Sequence, residues 1–403
     1  MRRTEPASSG ARRSGVVAAL AHRVHRGELT DEAIQKTMRT FRCACGERVF
    51  FDNTQCLACG RELGFFSEAG TVVGLEPAVD GVHATPYGPC RKCENYAARG
   101  VCNWLVPIDS DETLCRACRL NHVVPDLSNS ENLALWGEVE KAKRRLIYTL
   151  DQLRLPVVSQ RDDPENGLAF DIAADTGARR VLTGHADGLI TLNLGEADAL
   201  TRERVRIAFK ERYRTLLGHF RHEIGHYFWE RLVRDGDKLE LFRAHFGDET
   251  RDYSACLAAH HAKAPDSTWS TDFITAYASS HPWEDWAETF AHYLLMLDTL
   301  DTSREFGFAN AQAPDLGVPG STDFDLMIDA WSELSVALNA VSRSMGLPDL
   351  YPFAISPVVR DKLEAVHRIV REARAAAVRG KSTPPPPLEE PLGEEPSRTR
   401  IAV

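Results

Sequence analysis

The sequence predicts an α+β protein in two parts, a small cysteine-rich region followed by a mainly helical domain with a small β-sheet. Three observations carry that reading. Nine of the ten cysteines fall between Cys43 and Cys118. From Ser128 onward, apolar residues recur at helical spacing over long stretches such as Leu133–Leu153. Between 157 and 194, short runs alternate between apolar and polar residues, as half-buried strands do.

A chain of 403 residues has room for two or three domains. With 43% hydrophobic and 26% charged residues it can bury a core and is not disordered throughout. No run approaches the roughly 18 apolar residues of a membrane span. Val16–Ala21 is too short for a signal-peptide core, so the expected location is the cytoplasm. A net charge of −10 argues against a general nucleic-acid binder. The cysteine-rich stretch 41–128 is no exception, with 8 Lys/Arg against 11 Asp/Glu.

Residues 1–40 read as disordered apart from a short helix at Thr30–Met38, and 379–403 as a disordered Pro/Glu-rich tail. The cysteine region is expected at 41–127 and the larger domain at 128–378. Within the latter, strands are predicted at Leu168–Ile172, Arg180–Thr183 and Leu189–Leu194, with a hairpin turn at Ala186-Asp187-Gly188. One long helix is predicted from Thr201, a good N-cap, to about Val233, where Asp235-Gly236-Asp237 stops it. Further helices are expected near 238–263, 284–300, 323–345 and 357–377.

The first cysteine cluster, Cys43-Ala-Cys45 and Cys56-Leu-Ala-Cys59, has the pairwise spacing of one tetrahedral zinc site. Gly46 and Gly60 follow the pairs, where a tight turn lets backbone N–H groups face sulfur. The second cluster has five candidates for four positions. Cys90 and Cys93 with Cys115 and Cys118 is the simple choice; the alternative drops Cys90 and takes Cys102. Cys256 stands apart and reads as a small buried apolar residue. A protein-docking or structural role suits this acidic region better than nucleic-acid binding.

The most informative segment is Phe220-Arg221-His222-Glu223-Ile224-Gly225-His226-Tyr227. Residues i and i+4 share a helix face, so His222 and His226 can present imidazoles to one metal ion. Glu223 sits beside them, where it can take a proton from an attacking water. Apolar Leu216, Leu217, Phe220, Ile224 and Phe228 bury the rest of that helix. Downstream, His281-Pro282-Trp283-Glu284-Asp285-Trp286-Ala287-Glu288 starts a second helix, with Pro282 at its first turn. Glu284 and Glu288 are again i and i+4. One can bind the metal and the other can orient a ligand imidazole. Tyr277 and His281, just upstream, are candidates to stabilise an oxyanion.

These residues resemble a known family. Cys43–Leu127 resembles the zinc-ribbon region, and Leu133 to about Leu347 the catalytic region, of bacterial zinc-binding metallopeptidases. The specific pieces are Phe41–Gly46, Phe50-Phe51-Asp52-Asn53, Cys102-Asn103-Trp104-Leu105, the His222 segment and His281–Glu288, across about three quarters of the chain. The resemblance implies a zincin-like domain of the gluzincin kind. It implies Glu284 as third ligand, with Glu288 as partner of His222 or the alternative ligand. For the second ribbon it implies Cys93, Cys102, Cys115 and Cys118. Since some gluzincins place a Tyr near this position, it ranks Tyr277 ahead of His281.

The expected function is therefore a zinc metallopeptidase acting on a peptide or protein, with Glu223 as general base. One catalytic and one or two structural zinc ions are expected, and a protein partner can dock at the ribbons. A strand beside the motif helix, Leu189–Leu194, is expected to lie at the sheet edge where extended substrate pairs. The competing reading is a zinc-ribbon scaffold whose third metal site is structural or inactive.

Overall fold

The computed structural model describes residues 40–176, 180–208, 211, 213–262, 268–308 and 323–381. The helix expected at Thr30–Met38 and the tail beyond 381 lie outside them.

The cysteine-rich half is built of short hairpins. β1 (Phe41–Arg42) pairs with β2 (Arg48–Val49), β3 (Leu63–Phe66) with β4 (Thr71–Gly74), and β5 (Cys90–Lys92) with β6 (Leu105–Pro107), all antiparallel. A single helical turn, α1 (Glu94–Ala97), follows β5. Strands this short cannot hold together alone. What holds them is a shared aromatic core: Phe51 and Phe65 pack on Tyr148, with ring centroids 5.1 Å and 5.6 Å from that of Tyr148, and Trp104 packs on both of them.

Tyr148 belongs to α2 (Ser130–Gln152), capped by the Asn129 side chain on the Glu131 N–H. The sheet that follows has the order β7–β8–β10–β9, with β7 at Asn121–Val123, β8 at Ala169–Ala173, β9 at Gly184–Ala186 and β10 at Leu189–Asn193. β7 comes from the cysteine-rich half, yet pairs in parallel with β8. One hydrophobic cluster runs from Phe41 to Val370 without a break between the halves.

β9 and β10 form the expected hairpin. Asp187 and Gly188 both have positive φ, 48° and 76°, as a type I′ turn requires. The strand predicted at Arg180–Thr183 begins only at Gly184, just after the predicted span. Val181 and Thr183 are tied down by side chains instead, through Asn193 Nδ2 to the Val181 carbonyl and Thr183 Oγ1 to Glu196. β10 is also not the edge strand expected: it is central, and β9 is the edge.

The long helix expected from Thr201 is two, α3 (Ala199–Ala208) and α4 (Leu216–Phe228). Thr215 is extended and its Oγ1 accepts from the Gly218 N–H, which starts a new helix where the periodicity alone would run on. α4 continues as a π-helical turn, Trp229–Arg234. The stretch near 238–263 likewise divides into α5 (Leu239–Phe246) and α6 (Tyr253–Ala262), parted at Gly247 with φ 97°. Then come α7 (Pro282–Glu305), α8 (Phe324–Ser344) and α9 (Pro357–Lys381). No helix of the described residues is long and apolar enough to cross a membrane.

Candidate metal centre

α4 and α7 cross where side chains are smallest. A Cβ on Gly225 would stand 3.0 Å from Ala287 Cα and 3.2 Å from its carbonyl oxygen. Gly225 thus lets the two backbones touch, and Trp286 Nε1 donates to the Gly225 carbonyl across the crossing at 2.9 Å. Phe220, Ile224 and Phe228 fix the rotation of α4 by burial, which turns His222 and His226 towards α7. α7 is fixed at its start by His281, whose Nδ1 accepts the Trp283 N–H, and by Pro282 in the first turn. Glu284 and Glu288 then face α4 one turn apart.

Three ligand atoms converge. His222 Nε2 lies 3.2 Å from His226 Nε2 and 3.0 Å from Glu284 Oε2, and His226 Nε2 lies 3.4 Å from that oxygen. Tetrahedral zinc with bonds near 2.05 Å would set its ligand atoms about 3.3 Å apart. Glu284 is almost wholly buried, and its Oε2 has no hydrogen-bond donor among the described residues. Burial works against charge on His222, yet the Glu284 and Glu288 carboxylates overcome it and hold its pKa well above the usual range. Burial would raise Glu284, but His226 and His222 outweigh it and hold its pKa well below the carboxylate range. The site is electrostatically short of a cation, and zinc fits it. Glu288 Oε1 lies 2.6 Å from His222 Nδ1 and accepts its proton, which aims the Nε2 lone pair at the convergence point.

The cysteines form two more such groups among the described residues, Cys43, Cys45, Cys56 and Cys59, and Cys93, Cys102, Cys115 and Cys118. Sulfur pairs stand 3.7 Å apart in both, close to the roughly 3.8 Å edge of a tetrahedron with 2.3 Å zinc–sulfur bonds. Backbone N–H groups of Cys115 and Trp104 point at Cys93 and Cys102 Sγ.

Residues 132–369, more than half of the chain, match the family described as "Putative zinc-binding metallo-peptidase". The chain belongs to this family. Residues 40–129 match a zinc-ribbon domain. Two relatives, each named "Uncharacterized protein", come from Mycobacterium bovis and Mycobacterium tuberculosis. Each is 44% identical over 338 residues, 83% of this chain and 96% of the relative. No solved structure matches.

In this metallopeptidase-family domain the remaining predicted residues are placed as follows. Glu223 is buried on α4 beside His222 but outside the group of three that could hold a metal ion. The Tyr277 ring centroid stands 5.9 Å from that of His222. His281 has both ring nitrogens engaged, Nδ1 by Trp283 and Nε2 by the Arg251 carbonyl at 3.1 Å, so it is a helix cap with nothing left for an oxyanion. Asp285 points away from the centre and pairs with Lys362 Nζ of α9 at 2.7 Å. In the zinc-ribbon half, Cys90 packs with Phe66, Val73, Leu75 and Leu105, away from the sulfur groups. Cys256, expected to be buried, is half-exposed and lines a surface groove.

Two residues at the centre escaped the sequence reading. Tyr253 of α6 donates its hydroxyl to Glu284 Oε1 at 2.5 Å. His185 of β9 stacks on His226, ring centroids 6.1 Å apart, and burial pushes its pKa down to about 3. Neither has a fixed spacing from the motif; each comes in on a separate element, α6 or β9, so no sequence signal marked them.

Proposed function

We propose that this chain is a zinc-dependent hydrolase that cleaves amide bonds of a peptide or protein. The observation that carries the reading is the convergence of His222 Nε2, His226 Nε2 and Glu284 Oε2 beside a fourth group, Glu223, that the ligand set does not use. Zinc held by those three residues would polarise the scissile carbonyl and bring the pKa of water towards neutrality.

The chain's own residues do the rest. The Glu223 carboxylate accepts a proton from the attacking water and returns it to the leaving amine nitrogen. Tyr277 donates its phenolic hydrogen to the oxyanion that develops on the carbonyl. Burial holds its pKa above that of a free phenol, so the hydrogen is present at neutral pH. Glu288 keeps His222 in one tautomer. The outer edge of β9 offers backbone groups to an extended substrate.

In this reading the protein carries three zinc ions, two in the ribbons and one in the centre. It acts in the cytoplasm, where eight thiols grouped as zinc ligands stay reduced. It has no nucleic-acid or membrane partner; a protein partner would meet the first ribbon, whose Leu57 is 96% exposed.

The test is a proteome-wide cleavage comparison of wild type with Glu223→Gln, alongside metal analysis. The variant should keep three zinc ions and lose about 10²–10⁴-fold in rate. A zinc-loaded Glu223→Gln protein that cleaves like wild type overturns the mechanism. A count of two ions, with none at His222, favours a zinc-ribbon scaffold instead.

A further inference from the structure

The helix that carries Tyr253 is poorly attached. None of α6 is buried. Between it and the turn at 277–280 lies a groove of about 460 Å³, lined by Arg251, Asp252, Cys256, His260, Ser279 and Ser280 among others. Tyr253 is itself 37% exposed, so its contact with Glu284 is not the by-product of a packed core. The contact is also selective: the hydroxyl takes Oε1, while Oε2 faces the two imidazoles, 3.0 Å from His222 Nε2 and 3.4 Å from His226 Nε2.

We propose that Tyr253 is a positioning residue that makes Glu284 a one-oxygen ligand. A carboxylate with both oxygens free can bind zinc through both and take up the position a reactant needs. With Oε1 hydrogen-bonded to a phenol, only Oε2 remains for the ion, and its direction is set. The inference rests on the metal-centre reading above and adds to it a residue on a different element.

The test is made on full-length protein and reads zinc rather than turnover. Zinc affinity of the centre is measured by chelator competition, with Glu284→Ala, which lacks the third ligand, as blank. Tyr253→Phe should weaken that affinity about 10-fold or more. X-ray absorption should show one more oxygen at the centre's zinc, after the ribbon signal of the Glu284→Ala protein is subtracted. Tyr277→Phe, which does not touch Glu284, should bind zinc like wild type. Retention of the ribbon zinc in each variant shows that it folds. Wild-type affinity and an unchanged oxygen count in Tyr253→Phe overturn the proposal and leave the centre standing. A wild-type protein with no zinc beyond that of Glu284→Ala overturns both.

Discussion

In the second four-cysteine group every sulfur-bearing residue is buried, and Cys118 Sγ lies 3.8 Å from Glu140 Oε2 of α2; in the first group Cys45 and Cys59 face solvent. The surroundings differ as much. Glu140 is fully buried with Lys143, whose Nζ lies 2.7 Å from its Oε1, and both meet the Asn121 side chain on β7. Arg144 donates to the Val101 carbonyl from the same helix. The first group reaches the body through Phe41, Val49 and Phe51, through an exposed ion pair between Arg145 and Asp52, and through Phe50 stacked on Phe306. The same ligand chemistry therefore serves two ends. The second ribbon forms part of the wall of the metallopeptidase-family domain and supplies a strand of its sheet. The first is a surface knuckle.

The sharpest way to break this contrast is to remove one ligand from each. Cys115→Ser should lose a zinc ion and the cooperative melt together, because it empties a site on which α2 and β7 both lean. Cys59→Ser should lose a zinc ion and keep a cooperative melt. Zinc content and calorimetry read both; equal losses of stability would erase the distinction.

Next in size is Glu140→Ala, which leaves the Lys143 ammonium buried without its partner. A loss of about 3–5 kcal/mol in denaturant unfolding is expected. The double variant Glu140→Leu, Lys143→Met should recover most of it, since no charge is then stranded. Failure of that recovery would mean that Glu140 acts chiefly on the ribbon and not on Lys143.

Acid should weaken the larger half through two of its histidines. Burial holds His185 and His292 neutral, with pKa values pushed down to about 3 and about 4. An unfolded chain protonates its histidines below about 6.5 while the folded one resists. The stability they contribute is therefore whole above pH 6.5 and falls as pH drops towards 3–4. Melting curves in excess zinc between pH 7 and 4 should show the decline, and His292→Asn should flatten it. An unchanged slope would assign the acid sensitivity to the metal sites.

The smallest effect expected is that of Arg145→Ala. Its pair with Asp52 is partly exposed, so no more than about 1 kcal/mol should go, and less at high salt. A larger loss would show the first ribbon to be more firmly seated than its exposure suggests.

Much of the centre was legible because helix geometry is local. His222 with His226, and Glu284 with Glu288, are four apart, and four residues on a helix fix a face whatever surrounds it. The zinc-ribbon half was legible as a class for the same reason: paired cysteines a few residues apart can close on one ion. Which of Cys90 and Cys102 completes the second group was open from spacing alone. The fold separates them by the β5–β6 pairing, which turns Cys90 into a small apolar cluster. The break at Thr215 was missed because a local cap, Thr215 Oγ1 on the Gly218 N–H, interrupts an apolar pattern that runs on through it; the true edge strand was missed because strand order depends on pairing with other elements.

By itself, then, the sequence determined the candidate ligand types, their spacing in pairs four or a few residues apart, and the helices that carry the histidines and glutamates. Only the tertiary structure decided what buttresses them: Gly225 as the crossing point of α4 and α7, Tyr253 on Glu284, His281 spent as a cap, and the second ribbon built into the sheet through β7. The physical reason is range. Spacing along a helix encodes which side chains share a face over a turn or two. Contacts across 31 residues, from Tyr253 to Glu284, or 66, from His222 to Glu288, are set by how whole elements pack, and no local pattern encodes that.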